Sequence, residues 1–144
     1  MNKFKLFFCI INILIIGCQC DNKNDIALVN VFVNDIKTSD KENIYNKYFL
    51  FNEQKDDSIR IRRKVYYDLI DAIKGDLKNN NKYQILSYAK AKSKYKDIDR
   101  INNNNELVYV IFIKPIDLIY VKIEKDKIYS IVRLTKGNTI IGWL

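Results

Sequence analysis

The chain contains no histidine and only one proline, four glycines and three cysteines among its 144 residues. Without histidine it lacks the side chain that most often acts as a general base near neutral pH and the commonest nitrogen ligand of zinc or copper. The glycines are too far apart in the sequence to form a glycine-rich loop around a phosphate: Gly17, Gly75, Gly137 and Gly142. Histidine-dependent catalysis and nucleotide binding through a phosphate loop are therefore excluded.

Arginine is also scarce. It occurs five times, whereas lysine occurs 20 times, and the formal net charge is +8 at pH 7. A basic chain of this kind often binds nucleic acid or an anionic surface. However, lysine, isoleucine and asparagine together make up 61 of the residues, and AT-rich codons encode these three types. Because arginine is the residue best suited to bidentate recognition of phosphates and bases, we expect no nucleic-acid partner.

The first 17 residues have the features of an export signal. Lys3 and Lys5 give a positive start, and an apolar run of 11 residues follows from Leu6 to Ile16. This run is too short to cross a bilayer as a helix, which takes about 20 residues. The segment Ile15-Ile16-Gly17-Cys18 resembles the bacterial lipobox, in which aliphatic, variable and small residues precede the cysteine that receives a diacylglyceryl thioether. The commonest lipobox differs mildly, with Leu and then Ala or Ser at the first two positions.

The resemblance implies that cleavage before Cys18 leaves a lipid-anchored protein in the cell envelope, facing away from the cytoplasm, with a membrane as its first partner. On this basis we divide the chain into a signal peptide of residues 1–17, a lipidated tether of residues 18–25 and a single α+β domain of residues 26–144. The alternatives are an uncleaved membrane anchor and a buried helix with an incidental cysteine. The choice of membrane stays open.

The same interpretation accounts for the cysteines. Cys9 leaves with the signal peptide and Cys18 carries the lipid, so that Cys20 is the only free thiol of the mature chain. A single thiol cannot form an intramolecular disulfide, and a thioether-linked cysteine is not a thiolate ligand for a metal. We therefore expect no metal and no cofactor.

The first half of the remaining chain has helical periodicity. Residues 26–37 place apolar side chains on one helical face, although a short apolar run within them would also suit a strand. The segment Ser39–Glu42 has the form of a capping box for a second helix that runs to about Phe51. The clearest amphipathic pattern runs from about Ser58 to Lys78. Three helices are therefore predicted.

The second half is rich in isoleucine, valine and tyrosine, which predicts antiparallel strands separated by polar turns. Leu107–Ile113 is apolar on both faces and should be the central strand, whereas Lys125 and Asp126 should form the tip of a hairpin. Another exposed turn is predicted at Asn102–Asn105. The predicted strands are Tyr83–Lys96, Glu106–Lys114, Leu118–Glu124 and Lys127–Thr135.

Helices followed by strands predict an α+β fold, with N-terminal helices packed on one face of a curved antiparallel sheet of about four strands. Leu69 and Ile73 of the long helix should then be buried against strand residues such as Ile111. The side chains expected under the helices are Ile119, Val121 and Ile123 in one strand and Ile128, Val132 and Leu134 in the next. The order of elements resembles that of small cystatin-like and NTF2-like domains, a resemblance that leaves function open.

One motif has a catalytic precedent. Ser87-Tyr88-Ala89-Lys90 matches the S-x-x-K motif of penicillin-binding proteins. In a strand, however, Ser87 and Lys90 would point to opposite faces, and the companion motifs of that family are missing. The alternating lysines that begin at Lys90 and end at Lys96 should form a stripe on one face of this strand, where lysine deters edge-to-edge association.

A candidate recognition patch lies on the second face of the sheet, where Tyr120, Lys122, Tyr129 and Arg133 should project together from two paired strands. Tyrosine and arginine combine large contact area with directed hydrogen bonds, which is typical of binding hot spots. The alternative is ordinary cross-strand pairing on a solvated face.

These observations favour a membrane-anchored, non-enzymatic module that binds an envelope protein or a small ligand. Binding would use the sheet face or a pocket between the sheet and the helices. The alternatives are a small pocket enzyme that uses carboxylates and tyrosines, as some NTF2-like domains do, and an immunity-type inhibitor of a toxin. A deep pocket lined by aspartate, tyrosine or arginine would favour the enzyme.

Overall fold

The structure is a computed structural model of the whole chain. It describes residues 22–50, 58–80, 82–102, 106–113 and 118–144. The predicted signal peptide and Cys18 lie outside the described residues, as do the predicted end of the second helix at Phe51 and most of the predicted turn at Asn102–Asn105.

Four helices are present in the described part of the chain: α1 (Lys23–Thr38), α2 (Lys41–Tyr48), α3 (Ser58–Asn79) and α4 (Tyr88–Lys94). Helix α2 is capped by Asp40, whose carboxylate accepts a hydrogen bond from the backbone N–H of Asn43 at 2.8 Å. The predicted capping box had Ser39 in this position. That prediction is wrong by one residue, because the backbone N–H of Ser39 closes α1 by donating to the carbonyl of Asp35.

Helix α1 begins earlier than predicted. The side chain of Asn22 caps it by accepting from the backbone N–H of Asn24 at 3.1 Å. In the first turn, the carboxylate of Asp25 is buried and accepts from the hydroxyl of Tyr109 at 3.1 Å. Residues 23–25, which were assigned to the tether, are therefore part of α1, and the described part of the fold begins at Asn22.

The described strands form two sheets. Strands β1 (Gln84–Ser87), β3 (Leu107–Phe112), β4 (Leu118–Glu124) and β5 (Lys127–Ser130) form an antiparallel sheet in the order β1-β3-β4-β5. A smaller sheet has the order β2-β7-β6 and contains β2 (Arg100–Ile101), β6 (Arg133–Lys136) and β7 (Thr139–Trp143). The predicted α+β class and the internal position of β3 are confirmed. The predicted hairpin tip is also confirmed, because Lys125 and Asp126 both have positive φ, as a two-residue type I′ turn requires.

The four-stranded sheet is covered on both faces. Side chains of Tyr109, Ile111, Val121 and their neighbours on the same face pack under α1, α2 and α3. On the opposite face, Val110 and Tyr120 pack against α4 and the small sheet. The sequence predicted a cover of helices on one face only, and the cover of α4 and the small sheet on the second face was not predicted.

Two predicted strands are divided in the structure. The segment Tyr83–Lys96 forms β1 and then turns into α4, because its alternating alanines and lysines are good helix formers. The prediction that these lysines form a stripe on an edge strand is therefore wrong. The segment Lys127–Thr135 is interrupted after Ser130, whose hydroxyl bonds both the N–H and the carbonyl of Val132. As a result Leu134 lies in the small sheet, 45% exposed, instead of under the helices.

The long helix α3 packs mainly on α1 and α2, while α1 lies closer to the sheet, beside β1 and β5. Ile73 and Ile111 belong to the same buried core, whereas Leu69 is only partly buried at its margin. The predicted burial is thus confirmed for Ile73 and wrong for Leu69, which lies at the edge of the core.

Candidate functional site

The predicted recognition patch is buried only in part, because Lys122 and Tyr129 are half-buried and Arg133 is exposed. Tyr120 is only 2% exposed. The guanidinium carbon of Arg133 lies 4.4 Å from the centroid of the Tyr120 ring, and the same guanidinium lies 3.3 Å from the carboxylate of Asp99. The hydroxyl of Tyr120 accepts a hydrogen bond from the backbone N–H of Asp99 at 3.0 Å. Burial raises the pKa of Tyr120. Arg133 therefore ties the small sheet to the large one.

The other two members of the patch form a second pair nearby. The ammonium of Lys122 lies 4.8 Å from the centroid of the Tyr129 ring and 3.5 Å from the carboxylate of Glu106. Glu106 in turn accepts a hydrogen bond from the indole N–H of Trp143 at 2.6 Å. The four predicted residues come together in two pairs, but not from two paired strands as predicted, because Arg133 lies in β6 of the small sheet. The polar groups of Tyr120, Lys122 and Arg133 bind partners within the fold. The partners Asp99, Glu106 and Trp143 were not predicted from the sequence.

An open groove lies elsewhere, between the first half of α1, the end of α2 and the β4–β5 hairpin. It encloses about 440 Å³, which falls within the usual size of a small-molecule site. Its apolar walls are Leu28, Tyr48, Leu50 and Ile128, and Leu50 is 41% exposed. Its polar lining consists of Asn46, Lys47, Asp126 and Lys127.

One side of the groove is fixed by Asp35. Its carboxylate accepts hydrogen bonds from the ammonium of Lys47 at 2.5 Å and from the hydroxyl of Tyr48 at 2.6 Å. The bonds from Lys47 and then Tyr48 lower the pKa of Asp35. Burial and the bond to Asp35 raise the pKa of Tyr48 to about 12. At neutral pH the aspartate is therefore ionised and the tyrosine keeps its proton, so both side chains are held in one arrangement.

A pocket between the helices and the sheet was one of two predicted binding regions, but the residues that line this groove were not predicted. A pocket between helices and sheet was expected, and the predicted hairpin tip supplies part of its lining through Asp126. Leu28 could have been noticed because it is apolar yet lies beside the main apolar stripe of α1. The contribution of Asn46 to Leu50 depends on where α2 ends, which the sequence did not fix.

The S-x-x-K segment has a different geometry from the predicted one. Strand β1 ends at Ser87, which directly precedes α4, so the prediction that Ser87 and Lys90 point to opposite faces of one strand is wrong. Ser87 is buried and Lys90 is exposed, and both take part in interactions within the fold. In the part of the chain that the structure describes, no three His, Cys, Asp or Glu side chains are grouped so as to hold a metal ion.

Comparison with known proteins gives no assignment: the chain matches no protein-family model, no curated protein and no solved structure. Within the described ranges, no helix combines the length and the apolar character needed to cross a membrane.

Proposed function

We propose that the protein is a lipid-anchored binding module of the cell envelope, attached to a membrane through Cys18 and taking its ligand in the groove of Leu28, Tyr48, Leu50 and Ile128. The observation that carries this proposal is the contrast between the two candidate surfaces. The tyrosine and arginine side chains of the predicted patch are paired internally, whereas the groove presents apolar side chains to an open space.

The titration behaviour beside the groove supports binding over catalysis. A general acid or base works best when its pKa lies near the operating pH. The pKa of Asp35 is lowered from an already acidic value, and the pKa of Tyr48 is raised to about 12. Both shifts move these groups away from neutral pH. The proposed role of the Asp35 contacts is to hold the wall of the groove in place.

The start of the fold supports anchoring close to the membrane. Only residues 19–21 separate Cys18 from the capping residue Asn22. At the extended-chain limit of about 3.6 Å per residue, the lipidated cysteine stays within about 14 Å of Asn22. The domain would therefore rest against the membrane surface, where an envelope protein or a small ligand reaches it.

Metabolic labelling tests the anchor. We expect labelled palmitate to be incorporated into the wild-type protein and into Cys20→Ala, and to be lost from Cys18→Ala, because only Cys18 follows a small residue at the end of the apolar run. Label that survives Cys18→Ala would contradict the proposal. Cys20→Ala is the matched control because it removes a thiol two residues away.

Comparison of cross-linked partners tests the groove. Leu50→Asp places a charge in the groove, whereas Val31→Asp places the same charge on an exposed α1 position that does not line it. We expect a ligand or partner captured on intact cells by wild type and by Val31→Asp to be lost from Leu50→Asp. Equal capture by all three proteins would remove the groove from the proposal, and substrate turnover by the purified protein would overturn the non-enzymatic assignment.

A further inference from the structure

We propose that the groove holds one acyl chain of the protein's own lipid on Cys18. This inference deepens the proposed function, on whose lipidated cysteine it rests, and names the occupant of the same groove. Three features of the described residues support it, namely the distance along the chain, the charge of the lining and the volume of the space.

The distance along the chain is short. Leu28 follows Asn22 by six residues of helix, or about 9 Å at about 1.5 Å per residue. Cys18 precedes Asn22 by at most about 14 Å of extended chain. The start of α1 is also fixed, because the Tyr109 hydroxyl bonds both the backbone N–H of Asn22 and the carboxylate of Asp25. A lipid on this short tether can therefore reach the groove.

The lining carries no charge that calls for an ionic ligand. The ammonium of Lys47 is paired with Asp35, and the two charged residues of the hairpin in the lining, Asp126 and Lys127, have opposite signs. The remaining lining is apolar except for Asn46. An uncharged aliphatic chain matches this lining better than an anionic or cationic ligand does, because a buried ion needs a partner of opposite charge.

The size of the groove suits part of an aliphatic chain. Its volume of about 440 Å³ lies within the range of sites that hold small organic ligands, about 300–1,000 Å³. A tethered chain also meets the groove at an effective concentration in the millimolar range, on the order expected for short linkers. The wall formed by Leu28 and Leu50 would then be covered in the lipidated protein.

Sequestration of one chain would change how the protein is held. A single acyl chain binds a bilayer only marginally, whereas two chains give a stable anchor. With one chain of a diacylglyceryl group in the groove, the protein would leave one membrane and enter another more readily. The groove would thus set the strength of anchorage.

Photocross-linking in living cells tests the inference on the whole lipidated protein. Cells that express it are grown with palmitic acid bearing a diazirine and then irradiated, and cross-linked peptides of the purified protein are identified by mass spectrometry. We expect a cross-link between the Cys18 lipopeptide and peptides that contain Leu28, Leu50 or Ile128. Its yield should fall at least fivefold in Leu28→Asp and in Leu50→Asp, and should be unchanged in Val31→Asp, which alters an exposed residue of the same helix.

The outcomes separate the inference from the proposed function. A lipidated Cys18 without cross-links to the groove would overturn the inference and leave the anchor in place. A phospholipid adduct on the groove residues would also overturn it, by showing that the occupant comes from the membrane. An unlabelled Cys18 would overturn both. Leu28→Asp and Leu50→Asp serve as independent variants. If either variant keeps the wild-type melting temperature and also keeps the cross-link, the groove is not the binding site of the acyl chain.

Discussion

Tyr109 joins the start of the domain to the centre of the sheet, and its hydroxyl offers a sharp test of where the fold begins. Tyr109→Phe removes the bond to the buried carboxylate of Asp25 at 3.1 Å and a longer one from the backbone N–H of Asn22 at 3.3 Å. Hydrogen bonds to charged groups contribute about 1.5–3 kcal/mol, and a buried group that loses its partner keeps its desolvation penalty. We therefore expect the free energy of unfolding to fall by about 2 kcal/mol.

Urea denaturation of the detergent-solubilised full chain measures this loss, with the fluorescence of Trp143, the only tryptophan, as the probe. Tyr83→Phe is the matched control, because its hydroxyl also bonds α1 but donates to the neutral amide of Asn30 at 3.1 Å. Its loss should be about 1 kcal/mol or less. A loss below about 0.5 kcal/mol for Tyr109→Phe, or equal losses for both variants, would refute the reasoning that a buried carboxylate fixes the start of α1.

Two further predictions concern acid stability and a turn. The hydrogen bonds of Asp35 lower its pKa in the folded state. The stability that these bonds contribute should therefore be present above the unfolded pKa of about 3.8, and should be lost as the pH falls through the folded pKa. Denaturation between pH 7 and pH 2 should therefore show a smaller acid loss for Asp35→Asn than for wild type, and identical profiles would contradict the role of Asp35. Gly137 lies between β6 and β7 with φ +58°, so Gly137→Ala should lower the free energy of unfolding by about 1–2 kcal/mol. The control Gly75→Ala, in an open position of α3, should be neutral or stabilising. An unchanged melting temperature for Gly137→Ala would be inconsistent with this turn.

The elements that the sequence predicted correctly have a strong local signal. The apolar run of β3, the amphipathic stripe of α3 and the Lys125-Asp126 turn each depend on residues that are close together in the chain. The missed elements depend on distant partners. Helix α4 forms where Ala91 is buried against the second face of the sheet. Strand β6 pairs with β7 after the chain leaves the large sheet at Ser130. The alternation of apolar and polar residues along the chain does not predict these contacts.

The candidate site was predictable in part for the same reason. The spacing of residues in β4 and β5 correctly brought Tyr120, Lys122 and Tyr129 to neighbouring strands, but nothing local indicates that β2, β6 and β7 fold over them. The groove depends on the end of α2 meeting the hairpin, a contact between segments about 80 residues apart. A pocket between helices and sheet could be expected from the fold class, whereas its lining required the structure.

The pairing of Arg133 gives a last prediction, which separates a structural role from a recognition role. A cation over an aromatic ring near the surface contributes about 0.5–1 kcal/mol, and a partly exposed ion pair such as that with Asp99 contributes about 0–1 kcal/mol. Arg133→Ala should therefore lower the free energy of unfolding by about 1 kcal/mol, and Arg133→Lys should recover only part of it, because lysine lacks the planar group that stacks on Tyr120. The partners captured on intact cells should be the same for wild type and Arg133→Ala, since the ring of Tyr120 is buried and the guanidinium serves to hold the small sheet. Loss of a partner at unchanged stability would restore this face as the recognition surface and would remove the groove from that role.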